Sequence, residues 1–352
     1  MRLFEGDTAD EVWLDAAAEV RAGHPLQRLD GRGGPVYDLG RVVFTIKEPR
    51  CRWVHSRRPA MNPAFALAEV IWILAGRKDA AFLNYFNPRL PQYAGRGDAY
   101  TGAYGHRLRH AFGIDQLEHA CQALTGQPNS RQVVLQIWNP QRDLPAESGD
   151  PAHDDVPCNL CALLKLRGGR LEWTQVMRSS DLVLGIPHNF VQFTSLQEVM
   201  AGWLCVELGS FCLVTDCLHV YEPRLDDVCS AVPTPPPNGE PRDLCLGEAA
   251  SRAALDRVVE LADMMTVSGI PSADLVRAVD ACGLPGAWHD VLCVLAADYA
   301  RRSRWPALVS EVVARCRDPW LRHMWHSWER RRAAETGLAS PSDDQGADSS
   351  CG

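Results

Sequence analysis

No stretch of this 352-residue sequence approaches the roughly 20 consecutive apolar residues needed to cross a bilayer as a helix. The opening residues MRLFEGDTADEVW carry acids early and lack an apolar core with a following cleavage pattern, so no signal peptide is expected. A cytoplasmic protein without a membrane partner follows as the expectation. Lysine is scarce, with 3 against 33 arginines, a bias that reads as genome composition. An excess of basic charge is missing too. The formal charge of −8 argues against a general polyanion-binding surface and hence a DNA partner, while leaving room for a local arginine site for one phosphate.

A dense disulfide framework is also absent. Thirteen cysteines are scattered from Cys51 to Cys351, unlike the closely spaced staples of a small secreted domain. Cys205, Cys212 and Cys293 stand in apolar settings and are expected to be buried small hydrophobes. Cys158 and Cys161 have the CxxC spacing of zinc and redox sites. No second CxxC lies nearby, and no metal is expected.

With 46% apolar residues, the chain can bury one substantial core. Residues 8–22 read as a helix, 41–46 as a strand, and the apolar run from Pro63 as a buried helix stopped by Gly76. Glu69 alone interrupts that run, and a buried carboxylate is costly unless paired, hydrogen-bonded or protonated. Residues 84–110 read as loop, followed by a helix from Gln116. Strands are expected at 131–138, 160–167, 171–177 and 210–222, with a hairpin turn at Gly168-Gly169. A long helix is expected over 190–208. The proline-rich stretch 227–243 reads as an irregular connector, and helical patterns follow at 246–266, 272–282, 287–301 and 306–333. One domain over 1–333 is expected, its 227–333 part divergent and mainly helical, with a disordered tail at 341–352.

The chemistry concentrates in Val156-Pro157-Cys158-Asn159, Arg178-Ser179-Ser180-Asp181 and Pro187-His188-Asn189. In that order they offer a nucleophile, an anion grip and an amide able to read a base. A thiolate can add to the electron-poor C6 of a pyrimidine and make C5 a carbon nucleophile. Arg178 can supply the positive charge that favours a thiolate while sharing a phosphate with Ser179.

These residues resemble the thymidylate synthase and pyrimidine nucleotide hydroxymethylase superfamily over about 29–225. Asn129-Ser130-Arg131-Gln132, Trp138-Asn139-Pro140, Pro157-Cys158, Met177-Arg178-Ser179-Ser180-Asp181, Leu184-Gly185-Ile186-Pro187-His188-Asn189 and His219-Val220-Tyr221 occur in the superfamily's order and approximate spacing. The resemblance implies an α/β thymidylate synthase fold, with a large mixed β-sheet at a homodimer interface and surrounding helices. It implies Cys158 as the C6 nucleophile, Arg178 and Ser179 as phosphate ligands, Arg131 as an arginine from the neighbouring subunit, and Arg32 as a mobile phosphate-loop arginine. By the same likeness Glu69 moves protons around the base, Tyr104 lies near the nucleophile and the C5 proton, and Asn189 reads the O4/N3 edge. His219 and Tyr221 match sugar-hydroxyl contacts, and Asp181 anchors the pterin of 5,10-methylenetetrahydrofolate, the implied cosubstrate.

Four departures separate this chain from a typical thymidylate synthase. Asn159 replaces the histidine after the nucleophile, and Gln132 replaces the second of two arginines. No tryptophan lies between Trp72 and Trp138, and Ser349-Ser350-Cys351-Gly352 is unlike the family's apolar carboxyl terminus. In methylation, hydride from the folate must reach the exocyclic methylene with water excluded; in hydroxymethylation, water must reach that carbon. The loss of shielding favours C5 hydroxymethylation of a pyrimidine nucleoside monophosphate, with Asn159 helping Glu69 in proton transfers. Asn189 fits either base, since an amide has both donor and acceptor. The rebuilt position 159 tilts the reading toward CMP or dCMP. The alternatives are C5 methylation or hydroxymethylation of dUMP or UMP, and a non-catalytic nucleotide-binding regulatory protein.

Overall fold

A computed structural model describes residues 1–23, 26–31 and 33–335. Arg32 and the 341–352 tail, both assigned expectations above, lie outside the described residues. The strands are β1 (Arg2–Gly6), β2 (Gln27–Gly31), β3 (Gly34–Ile46), β4 (Val134–Gln136), β5 (Asn159–Arg167), β6 (Arg170–Met177), β7 (Ser180–Asp181) and β8 (Glu207–Tyr221). The helices before β8 are α1 (Ala9–Arg21), α2 (Pro63–Leu74), α3 (Ala80–Phe86), α4 (Pro91–Ala94), α5 (Tyr104–Arg109), α6 (Gln116–Gly126), α7 (Pro140–Asp143) and α8 (Ile186–Leu204). After it come α9 (Leu225–Cys229), α10 (Glu248–Asp263), α11 (Ser272–Asp280), α12 (Gly286–Arg302), α13 (Pro306–Val313) and α14 (Pro319–Glu335).

One mixed sheet organises the fold, in the order β1-β3-β8-β6-β5-β4, with β2 on β3 and β7 on β8. β1 runs parallel to β3, and both β6 and β7 run parallel to β8, while the other pairs are antiparallel. This is the expected α/β architecture. Strand side chains alternate between two faces. Phe44, Trp173, Phe211 and Leu213 are buried on one face, where α8 lies. Phe190 of α8 makes edge-on ring contacts with Phe44 and Phe211 at centroid distances of 5.4 and 6.5 Å. Gln197 of α8 donates to the Leu171 and Gly209 carbonyls at 2.8 and 3.1 Å. The alternate positions, among them Val43, Thr174, Val176, Cys212 and Val214, are only partly covered.

α2 forms a second layer, and its residues other than Glu69 are buried. Asn62 caps it, accepting from the Ala64 N–H at 3.0 Å, and Pro63 occupies the first turn, where no intrahelical donor is lost. α12 and α14 pack against α2 from the far side. Within α12, buried Asp290 is paired with Arg242 at 2.7 Å and buried Asp298 with Arg301 at 2.7 Å, as buried charges require.

Several boundaries differ from the sequence reading. Residues 84–110 are not all loop, since they include the end of α3 and the short helices α4 and α5. The long helix starts at Ile186 rather than 190, because Pro187 is tolerated in a first turn. The stretch 306–333 is two helices: Asp318 accepts from the Trp320 and Leu321 N–H groups at 2.8 and 3.0 Å, starting a new helix before Pro319 can extend an old one. Cys293 is buried, but Cys212 is on the partly covered sheet face, and Cys205 is exposed at the end of α8 with φ of 54°.

Candidate active site

The β5–β6 hairpin sets the proposed nucleophile against an arginine. Gly168 and Gly169 have φ of 56° and 76°, the paired left-handed conformation of a tight turn whose twist suits its strands. The register pairs Asn159 with Met177, and the Arg178 N–H donates to the Cys158 carbonyl at 2.9 Å. Cys158 is thereby held just before a rigid strand yet remains partly exposed. Arg178 is anchored through Nε to the Pro157 carbonyl at 3.0 Å and through Nη2 to the Val156 carbonyl at 3.1 Å. Nη2 is also 3.7 Å from Cys158 Sγ, and Ser179 Oγ is 4.0 Å from the same sulfur.

α2 and α8 bring two further groups together. Glu69 Oε2 meets His188 Nδ1 at 2.7 Å, with both side chains largely buried. Phe65 packs on the imidazole at a centroid distance of 5.1 Å. One residue on, Asn189 Oδ1 accepts from Ser180 Oγ at 3.2 Å and its Nδ2 donates to Gln192 Oε1 at 3.1 Å. One N–H and one lone pair of the amide are left for a ligand.

Tyr104 opens α5. Gly105 permits that placement: a Cβ there would stand 2.2 Å from the Ile73 carbonyl oxygen, so only glycine lets the short helix lie this close to α2. Burial, and then the neighbouring Cys158, push the Tyr104 phenol above its usual range.

At the other side, Asp181 Oδ1 accepts from the Val183 N–H at 2.8 Å and from the Leu184 N–H. Its Oδ2 is buried without a hydrogen-bond partner among the described residues. Burial raises the Asp181 carboxyl above its ordinary value despite those donors. His219 and Tyr221 share one face of β8, their rings edge to face at 5.4 Å. Burial lowers the His219 imidazole, with the Asp181 charge opposing.

Cys158, Glu69, Tyr104, Arg178, Ser179, Asp181, Asn189, His219 and Tyr221 line one cavity of about 1720 Å³. That exceeds the roughly 300–1,000 Å³ of a pocket for one small molecule. Asn159 does not line it. The residue is fully buried, and its Oδ1 accepts from Gln175 Nε2 at 2.9 Å, so a part in the proton transfers expected with Glu69 would be exerted from behind the cavity wall. Arg131 is exposed, outside the cavity, beside the edge strand β4.

Sequence reasoning quoted His188 but gave it no role. It also gave no place in the site to the helices expected near the C-terminus, of which α12 and α14 contribute Arg302, Trp328, Arg331 and Arg332 to the wall. Arg57 lines the same region. Arg57 Nη1 donates to the Pro59 carbonyl and Arg331 Nη1 to the adjacent Ala60 carbonyl, each at 2.7 Å. Burial and then Arg331 push Arg57 down to about 10. Trp72 of α2, Trp138 of the segment after β4 and Trp328 of α14 also border the space. Among the described residues no helix is long and apolar enough to cross a membrane.

The sequence model of the family described as thymidylate synthase matches residues 50–245, the segment that carries Glu69, Tyr104, Cys158, Arg178, Ser179, Asp181, Asn189, His219 and Tyr221 of this cavity. The chain is 35% identical over 238 residues to a deoxyuridylate hydroxymethyltransferase of Bacillus phage SP01, covering 64% of this chain and 60% of that relative. It is 35% identical over 204 residues to a protein of the same description from Pseudomonas phage M6, covering 57% of each. Similarity to a putative thymidylate synthase of Methanopyrus kandleri is 34% over 227 residues, covering 64% of this chain and 96% of the relative. The chain thus spans less than two thirds of the length of the two phage relatives. The matched segment, the α/β sheet and the hairpin carrying Cys158 and Arg178 agree, and the chain belongs to the thymidylate synthase family.

Proposed function

We propose that this protein is a folate-dependent hydroxymethyltransferase acting at C5 of dUMP. The observation that carries the reading is Cys158 Sγ held 3.7 Å from Arg178 Nη2, on the wall of a cavity large enough for a nucleotide beside a folate. The tilt toward CMP or dCMP gives way here to uracil. Two phage relatives described as deoxyuridylate hydroxymethyltransferases support that choice, and Asn189 can serve it by donating Nδ2–H to O4 while Oδ1 accepts from N3–H.

Arg178 and Ser179 bind the phosphate, with Arg131 of a second copy reaching the same anion. His219 and Tyr221 hold the sugar. Cys158 adds to C6, and the displaced electron pair moves toward O4, where Asn189 stabilises it. The Arg178 guanidinium stabilises the sulfur while it is anionic, before addition and after expulsion. Tyr104, kept protonated by its burial, orders water near the C5 proton. Asn159 is a positioning residue that fixes the start of β5 under Cys158.

The unpartnered Oδ2 of Asp181 fits a folate, since a buried acceptor without a donor matches the N–H edge of a pterin. Bound 5,10-methylenetetrahydrofolate supplies a one-carbon unit to C5. Arg57 and Arg331 fit the carboxylates of its glutamyl end, and Trp328 lies where the aminobenzoyl ring can pack. Residues 1–333 then act as one catalytic unit whose helical part walls the folate side.

The partly covered sheet face, with Val43, Val176, Cys212 and Val214, supports a homodimer formed by sheet-to-sheet packing, as a contiguous apolar face otherwise left in water would require. The decisive experiment gives purified protein methylenetetrahydrofolate and dUMP, UMP, dCMP or CMP in separate reactions. A gain of CH2O on dUMP without dihydrofolate is expected. A gain of CH2 with dihydrofolate would establish methylation, and a faster reaction with dCMP or CMP would restore the cytosine reading.

A further inference from the structure

The Glu69–His188 contact is unexplained by nucleotide or folate binding. His188 Nδ1 is occupied by Glu69 Oε2 at 2.7 Å. The other ring nitrogen, Nε2, has no hydrogen-bond partner among the described residues, although His188 lines the cavity with Cys158, Tyr104 and Asn189. Phe65 packs against the ring at 5.1 Å and restricts its rotation. A carboxylate on one nitrogen selects the tautomer with the proton on Nδ1, leaving Nε2 as an acceptor, and stabilises the imidazolium that forms when Nε2 takes a proton. Asn189, the next residue of α8, is the one assigned to the O4 edge of the base, and both side chains line the same cavity as Cys158.

We infer that His188 is the general base that activates water for attack on the exocyclic methylene carbon, with Glu69 as its orienting carboxylate. The inference rests on the hydroxymethyltransferase reading above. In this step the water oxygen bonds to the methylene carbon and one water proton passes to His188 Nε2. The carbon–carbon double-bond pair moves through C5 onto O4 as an enolate. Re-forming the C4 carbonyl restores the C5–C6 double bond and expels Cys158 sulfur from C6 with its electron pair. The proton on His188 then returns to solvent. A phenylalanine at this position would offer no acceptor for that proton, which makes residue 188 a determinant of whether water is used.

The test follows two events in single turnover with C5-tritiated dUMP: tritium release, which precedes water attack, and formation of hydroxymethyl product, which requires it. In the unaltered protein the two occur in equal amounts. In His188→Gln and His188→Phe, one tritium per site is expected to be released while product forms about 100-fold more slowly. A nucleotide adduct on Cys158 carrying the extra methylene then accumulates, and added 2-mercaptoethanol captures it. Product formed at the unaltered rate in either variant, or parallel loss of tritium release and product in both, would overturn the assignment. The parent reading fails differently: the unaltered protein would then form no hydroxymethyl product at all.

Discussion

Arg178 Nη2 stands 3.7 Å from Cys158 Sγ while the same guanidinium donates to the Val156 and Pro157 carbonyls. The guanidinium, carried at the end of β6, is tied to two successive carbonyls just before β5, so its distance from the sulfur is set by the fold rather than by a ligand. Cys158→Ala is expected to abolish tritium release from C5 while retaining nucleotide binding. Arg178→Ala is expected to weaken dUMP binding about 10- to 100-fold, the loss of a charge-assisted contact of roughly 1.5–3 kcal/mol, and to slow alkylation of Cys158 by iodoacetamide at neutral pH. Calorimetric titration and alkylation rates measure the two effects separately. Alkylation at an unchanged rate would remove Arg178 from the activation of sulfur.

Base choice should follow Asn189. Its Oδ1 and Nδ2 are each half used, by Ser180 and Gln192, which leaves one donor and one acceptor for uracil. Asn189→Asp removes the donor toward O4 and adds an acceptor suited to the 4-amino group of cytosine. The ratio of kcat/KM for dUMP to that for dCMP is expected to fall by at least about 100-fold, the scale of a mismatched buried hydrogen bond. Competition between the two nucleotides in one reaction reads the ratio directly.

How much of this was visible beforehand depended on the range of the interaction involved. α2 was legible because its apolar run from Pro63 and its stop at Gly76 are both local. The β5–β6 hairpin was legible from Gly168-Gly169 between two strand patterns, and with it the approach of Cys158 to Arg178. β1 was not, since Arg2–Gly6 includes two charged residues and owes its strand form to parallel pairing with β3. Spacing brought the motif residues forward in order, yet the Glu69–His188 contact spans 119 positions and exists only because α2 packs on α8. The contribution of α14 to the cavity was hidden for the same reason. Cys205 misled because its apolar neighbours belong to a helix terminus whose left-handed residue faces water.

Acid sensitivity should centre on Asp143. Burial alone would raise its carboxyl, but hydrogen bonds from Arg107, the Asn139 N–H and His153 outweigh burial and hold it below its ordinary value. Arg107 and Asp143 are both almost fully buried and meet at 2.8 Å. A carboxyl lowered in the folded state contributes stability that is complete above its unfolded value and is lost as pH falls through the folded one. Thermal melts should therefore drop below about pH 4. Asp143→Asn is expected to cost about 3–5 kcal/mol at pH 7, because it strands a buried guanidinium, and to flatten the acid part of the stability profile. A melt shifted by less than a degree would mean that water has access to Arg107 and replaces the pair.

The sharpest expectation concerns Arg131, which is exposed, lies beside β4 and does not reach the cavity of its own chain. If it grips phosphate in a second copy across the partly covered sheet face, each site draws Cys158 from one chain and Arg131 from the other. Cys158→Ala and Arg131→Ala homodimers should each be inactive or strongly impaired. After mixing, unfolding and refolding them together, a hybrid dimer has one site with both residues intact and one with neither. Random pairing makes half of the dimers hybrid, so about a quarter of the unaltered activity should return. Val214→Arg, which places a charge on the apolar face, should block this recovery and give a monomer by light scattering. If Arg131 served its own chain, every site in the hybrid would still lack one of the two residues and mixing would restore nothing.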